Sequence, residues 1–158
     1  MRYIENITMD RELIELNADE AREVLRAYLE LERRVFAELE IDEIDLDFSK
    51  ASVIQAIRYV AINEFGKISE FDMNRWFAKL GFYFGESLCR SAQGLRWDIG
   101  NSETPFANHP VIAGFDSGEE AAVITICRNI LLATVRDGAR SGRILDAVEY
   151  WFSLDSIH

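Results

Sequence analysis

Proline, cysteine and histidine are all scarce in this chain, with two of each among 158 residues. Pro105 and Pro110 lie close together, and no proline-rich or Gly/Ser-rich linker divides the rest. No internal repeat or low-complexity tract appears either. A chain that is 49% hydrophobic at this length can bury one real core, whereas two domains would each be very small. One globular domain over residues 1–158 is therefore expected. Cys89 and Cys127 sit in apolar, helix-like contexts, which fits buried thiols better than a disulfide. His109 stands beside Pro110 and His158 ends the chain. Neither CxxC nor HExxH spacing occurs, so no metal and no cofactor is expected.

Long apolar runs are also missing. The most apolar stretch, AAVITICRNILLATV (121–135), is too short to span a bilayer comfortably and carries Arg128 and Asn129 in its middle. The opening MRYIENITMDRELIEL has no apolar core of the signal-peptide kind. These features point to a soluble, cytoplasmic protein, in which the sequon Asn6-Ile7-Thr8 carries no meaning. Positive charge is outnumbered, with 17 Lys and Arg against 28 Asp and Glu and a net charge of -11. That balance disfavours nucleic acid and anionic membranes as ligands and favours a basic protein partner; the plainer reading is ordinary cytosolic acidity.

Nucleophile motifs fail by spacing. In GFDSG (114–118) and GARSGR (138–143) the upstream glycine lies one residue too far from Ser117 and Ser141 for a nucleophile elbow. No glycine-rich phosphate loop follows a strand.

What the chain does have is helical periodicity. In 17–40, Asn17 and Glu20 have capping-box spacing, and Val24, Leu25, Tyr28, Leu31, Val35 and Leu39 recur every three or four residues. A turn from about Asp10 is either a separate short helix or the start of this one. A second helix spans 49–66, capped by Ser49 or Ser52 and ended by Gly66. A third runs from about Glu70 to Ala92, with Ser69 as its cap. LRWDI (95–99) and PVIAGF (110–115) read as two strands, a hairpin around loop 100–109. Ser117 and Glu120 again have capping-box spacing before 121–135, a segment apolar nearly all round and so expected at the centre. ILDAVEYWFSL (144–154) closes the chain, with Ile144, Val148, Trp151 and Phe152 inward. The fold class is α+β: mainly helical, with three helices, two short antiparallel strands and two helices.

Two glycines interrupt the third helix. On a helical wheel Met73, Trp76, Phe77, Leu80, Phe84 and Leu88 share a broad face. Ala78, Gly81, Gly85, Cys89 and Ala92 form a neighbouring stripe of small residues. Each glycine costs about 1 kcal/mol against alanine, which close packing of another helix can offset. The expected neighbour is 121–135; the alternative is a ligand groove, with Glu86 and Arg90 as its polar groups. Glu86 is a general acid or base if buried, or else pairs with Arg90, binds the following strand, or meets Arg128 from the apolar helix.

The strongest charge signal is ELEIDEIDLD (38–47), where Glu38, Glu40, Asp42, Glu43, Asp45 and Asp47 stand with no base among them. Ile41, Ile44, Leu46 and Phe48 alternate with these acids. Three readings are open: a solvated loop, an acidic docking surface for a basic partner, or a calcium loop, although EF-hand order and its glycine are absent.

The succession GFYFGESL, LRWDI, HPVIAGF and then a long apolar helix resembles small bacterial immunity-type proteins of toxin–immunity systems. The likeness covers about residues 80–135, and its tokens are Tyr83-Phe84-Gly85-Glu86, Trp97 and Pro110-Val111-Ile112. It implies a cytoplasmic protein that binds and blocks one toxin domain, and it carries over no catalytic residue. The leading expectation is thus a non-enzymatic binding protein, a monomer or weak homo-oligomer. A small enzyme built on Glu86, Arg90 and His109, or an oligomerisation module using the aromatics of 144–154, are the alternatives.

Overall fold

The computed structural model describes residues 11–39, 41, 44–64, 70–138 and 142–156. The first turn is separate: α1 spans Arg11–Ile14 and α2 spans Ala18–Glu38. The capping box at the start of α2 forms as its spacing predicts. Asn17 Oδ1 accepts from the Glu20 amide at 2.9 Å, and Glu20 Oε1 accepts from the Asn17 amide at 3.1 Å. α2 buries Ala21, Val24, Leu25 and Tyr28, while Leu31, Val35 and Leu39 are only half-buried.

Ser49 caps α3 (Lys50–Asn63), accepting from the Ser52 amide at 3.1 Å. Ser52 is not the cap, because its hydroxyl meets the Tyr83 hydroxyl at 2.7 Å. α3 is over before Gly66, with Glu64 still right-handed at its end. Gly66 and Ser69 lie outside the described residues.

α4 (Glu70–Ser91) is the post around which the rest is arranged, packing against α2, α3, both strands and the two helices that follow. β1 (Arg96–Ile99) and β2 (Pro110–Ala113) pair antiparallel, with Trp97 opposite Ile112 and Ile99 opposite Pro110. The proline thus starts its strand, where a missing amide does least harm. The far side of Ile112 exchanges two backbone bonds of 2.9 Å with Ala121.

That exchange overturns the expected cap at Ser117 and Glu120. Ala121 is held extended, so α5 begins only at Val123 (Val123–Asp137) and has no side-chain cap. Ser117 Oγ instead accepts from the Glu119 amide at 3.2 Å, and Glu120 Oε1 accepts from the Asn101 amide at 3.0 Å. The expectation that 121–135 is apolar nearly all round and central holds for its first residues and then for one face only, on which Thr134 is also buried. Ala121 to Ile124, Cys127, Ile130 and Leu131 are buried, but Asn129, Leu132 and Arg136 face water. α6 (Arg143–Ser153) buries Ile144 and Val148 and half-buries Trp151 and Phe152. The described structure is mainly helical α+β with a two-stranded antiparallel sheet.

The small-residue stripe of α4 has two occupants. A Cβ on Gly81 would lie 2.8 Å from Ile124 Cα and 2.9 Å from its nitrogen, so here the backbone of α5 approaches as expected. At Gly85 the helix expectation fails: a Cβ would overlap the six-membered ring of Trp97 and lie 3.1 Å from Ile112 Cδ1. The sheet, not α5, covers this glycine. Trp97 then stacks on Phe82 at 6.2 Å and meets Tyr28 edge-on at 6.0 Å.

Gly81→Ala is expected to lower stability by about 1–3 kcal/mol although alanine is the better helix former, because the clash is with backbone. Urea denaturation checks this; a stabilised variant would mean that α5 moves aside freely.

Candidate functional site

The acidic segment is built by alternation. Ile41 is buried and Ile44, Leu46 and Phe48 are half-buried, while Glu38, Asp45 and Asp47 are exposed. Glu40, Asp42 and Glu43 lie outside the described residues. An extended conformation was one expectation, but no described residue of the segment joins a ladder, and its end is sharply bent. Phe48 has a φ of 63°, in the left-handed region that aromatic residues avoid.

Several contacts hold that bend. The Phe48 amide donates to the Tyr83 hydroxyl at 2.8 Å, and the two rings lie 5.0 Å apart. The Arg90 guanidinium covers the Phe48 ring at 3.5 Å, a cation–π contact. Asp47 Oδ1 accepts from the Ser49 amide at 3.0 Å, and the Ser49 hydrogen bonds hold its carboxyl below the usual range. Burial raises the phenol of Tyr83, which is thus a neutral hydroxyl at physiological pH. A cleft of about 470 Å³ opens beside the segment, lined by Asp47, Phe48, Ser49, Lys50, Arg90 and Phe152. Lys50 is paired with Glu149 at 3.0 Å. Among the described residues, no group of three or more His, Cys, Asp or Glu is placed to hold a metal ion.

Glu86 is held by partners other than those expected. Its Oε2 accepts from Trp97 Nε1 at 3.0 Å, and its Oε1 lies 3.7 Å from Arg33 Nε of α2. Arg90 turns to Phe48, so neither it nor Arg128 is the cation that meets Glu86. Binding to the strand was foreseen, but through backbone amides; the indole supplies the bond instead. His109 is buried, with Nδ1 3.0 Å from the Ala107 carbonyl and its ring against Phe106. Glu86, Arg90 and His109 therefore have three separate sets of partners. Both cysteines are free thiols. Burial, with the charge of Glu86, pushes Cys89 up to about 12, and burial raises Cys127 further, so neither is a ready thiolate nucleophile. In 144–154, Trp151 packs on Phe115 at 5.4 Å and Phe152 on Phe84 at 6.0 Å, leaving Tyr150 as the exposed aromatic.

The tokens of the immunity-type likeness are packing residues aimed at different neighbours. Tyr83 holds Phe48, Phe84 meets Phe152, Gly85 leaves room for Trp97, Glu86 receives its indole, and Ile112 sits opposite Trp97. They do structural work in this chain.

One group escaped sequence reasoning. Glu32 is 2% exposed, and its Oε2 has no hydrogen-bond partner. The signal was present: Glu32 follows Tyr28 by four residues and continues the buried stripe of α2. Its charged type hid it on a helix covered with other charges. Among the described residues, no helix is long and apolar enough to cross a membrane. No family model matches the chain, and neither a curated protein nor a solved structure matches it.

Glu86→Ala should cost about 1–3 kcal/mol by leaving the indole N–H of Trp97 without its acceptor, and Glu86→Gln, which keeps an acceptor oxygen, should cost less. Thermal unfolding of the two variants, with the Trp97 indole proton followed by NMR, checks the order; equal losses would show that the carboxylate charge matters more than the hydrogen bond.

Proposed function

We propose that this protein is a non-enzymatic binding protein that captures a basic protein partner through the 38–47 segment. Following the likeness of residues 80–135 to immunity-type proteins, the partner is a bacterial toxin domain, neutralised in the cytoplasm by stoichiometric occlusion. The observation that carries this reading is the outward setting of Glu38, Asp45 and Asp47 by apolar neighbours turned inward. Acids on a segment anchored at Phe48 lose less freedom on binding than acids on a free loop. Their field steers a basic surface toward them, and the half-buried Leu46 and Phe48 supply apolar contact once it arrives.

The partners of Glu86 weigh against the enzyme alternative. An acid–base catalyst needs a carboxyl free to exchange a proton with substrate, and both oxygens of Glu86 already face donors of this chain.

Affinity capture from the native lysate, eluted in rising salt, should yield one stoichiometric basic protein. Its association with a variant carrying Glu38→Gln, Glu40→Gln, Asp42→Asn, Glu43→Gln, Asp45→Asn and Asp47→Asn should be slower by about tenfold or more at low salt, with a flattened salt dependence. An unchanged on-rate removes the steering role, and failure to capture any protein at low salt removes the binding reading itself.

A further inference from the structure

Among the described residues, Glu32 carries the buried side-chain oxygen that has no hydrogen-bond partner. It is buried at the face of α2 that looks toward α4, one oxygen has no hydrogen bond, and neither nearby cation completes it. From α4, Lys79 and Arg75 are the cations whose fields reach it, and among the described residues neither forms an ion pair with it. The Lys79 ammonium sits 4.7 Å from the centre of the Trp76 ring instead. Tyr28, one turn back on α2, donates its hydroxyl to the Ala78 carbonyl at 2.7 Å, so that hydroxyl proton is committed. Glu86 acts on Tyr28, while Asp72 and Glu64 act on Lys79. On β1, which also packs against α2, Arg96 and Asp98 lie 3.9 Å from each other. A carboxylate in this setting lacks donors, whereas a neutral carboxyl does not carry the same desolvation cost.

The two ends of α2 are held unequally. Its first turn has the capping box and two acids, which suit a helix N-terminus. Its last turn has no basic residue and ends in Glu38, which the helix dipole disfavours. Beyond Glu32, the stack of Phe36 on Phe82 at 5.5 Å and on Tyr83 at 5.3 Å holds this end down.

We propose that Glu32 is a proton-controlled latch: its neutral carboxyl lets α2 lie closed on α4, and its ionisation opens the C-terminal half of α2 to water. The sign follows from linkage. Burial, opposed by Lys79 and Arg75, pushes the closed-state carboxyl up to about 7, against 4.5 for a free one. Closure therefore gains most below the free value and loses that gain as pH rises through about 7. Opening also frees Phe36 from Tyr83, whose hydroxyl holds Phe48, so the latch and the acidic segment share one residue. The latch itself does not depend on any partner.

Amide hydrogen exchange of the full chain tests it, with rates divided by intrinsic exchange at each pH. Opening of amides in 30–38 should rise about twentyfold from pH 5.5 to 7.5, while amides of α5 stay flat. Glu32→Gln should remove the rise and slow exchange at pH 7.5. A flat wild type, a rise retained in Glu32→Gln, or an equal rise across all helices overturns the latch. Should Glu32→Gln not fold, the carboxyl carbon of Glu32 in the wild type is followed by NMR. A midpoint near 7 supports the latch, and one in the ordinary carboxylate range overturns it.

Discussion

The structure depends on how closely other chain segments reach the axis of α4. Two glycines one turn apart give that helix a side with no Cβ, and two different elements use it. The start of α5 lies against Gly81, and the indole of Trp97 lies against Gly85. Both approaches would be blocked by a single methyl group. Each glycine weakens an isolated helix by about 1 kcal/mol. The contacts that their absence of side chain permits involve a helix backbone and the largest aromatic side chain, which bury far more area than a methyl could. Once Trp97 is seated, the hairpin is fixed through its register with Ile112, and Ile112 in turn fixes Ala121 and the entry into α5.

This dependence explains which features the sequence reveals. Caps at Asn17 and Ser49 are closed by bonds within three residues, so spacing alone identifies them. Ser117 and Glu120 have the same spacing, yet Ala121 is drawn into a ladder with Ile112 before a helix can form. A local preference of a kcal/mol or so yields when pairing elsewhere fixes the backbone. The wheel of α4 showed correctly that one side is small. It could not show that sheet and helix divide that side between them, since the filler of a gap belongs to another part of the chain. The same holds for Glu86, whose cation comes from α2, beyond the reach of any i+4 rule.

The acidic segment joins local and distant terms. Its alternation of apolar and acidic residues is local and readable. Its fixed geometry is not: a left-handed Phe48 persists because Tyr83 and Arg90, both on α4, hold its amide and its ring. Such a backbone conformation costs of order 1–3 kcal/mol and is kept only where surrounding contacts over-determine it. Asp45 and Asp47, just before this bend, are thereby tied to the same helix that seats Trp97.

Glu86 and Glu32 show how differently one side-chain type behaves when withdrawn from water. Glu86 keeps part of its surface wet and faces a donor at each oxygen, so its charge strengthens the seat of Trp97. Glu32 is more deeply buried and has an oxygen with no donor, while its neighbouring lysine rests on an aromatic face. At Glu86 the partners of both oxygens and the packing of Trp97 favour the same arrangement. At Glu32 ionisation and packing oppose each other, because among the described residues no donor meets its second oxygen, and reaching bulk water requires α2 to lift. A carboxyl that packing alone would replace by an apolar residue thus makes closure of α2 depend on a proton.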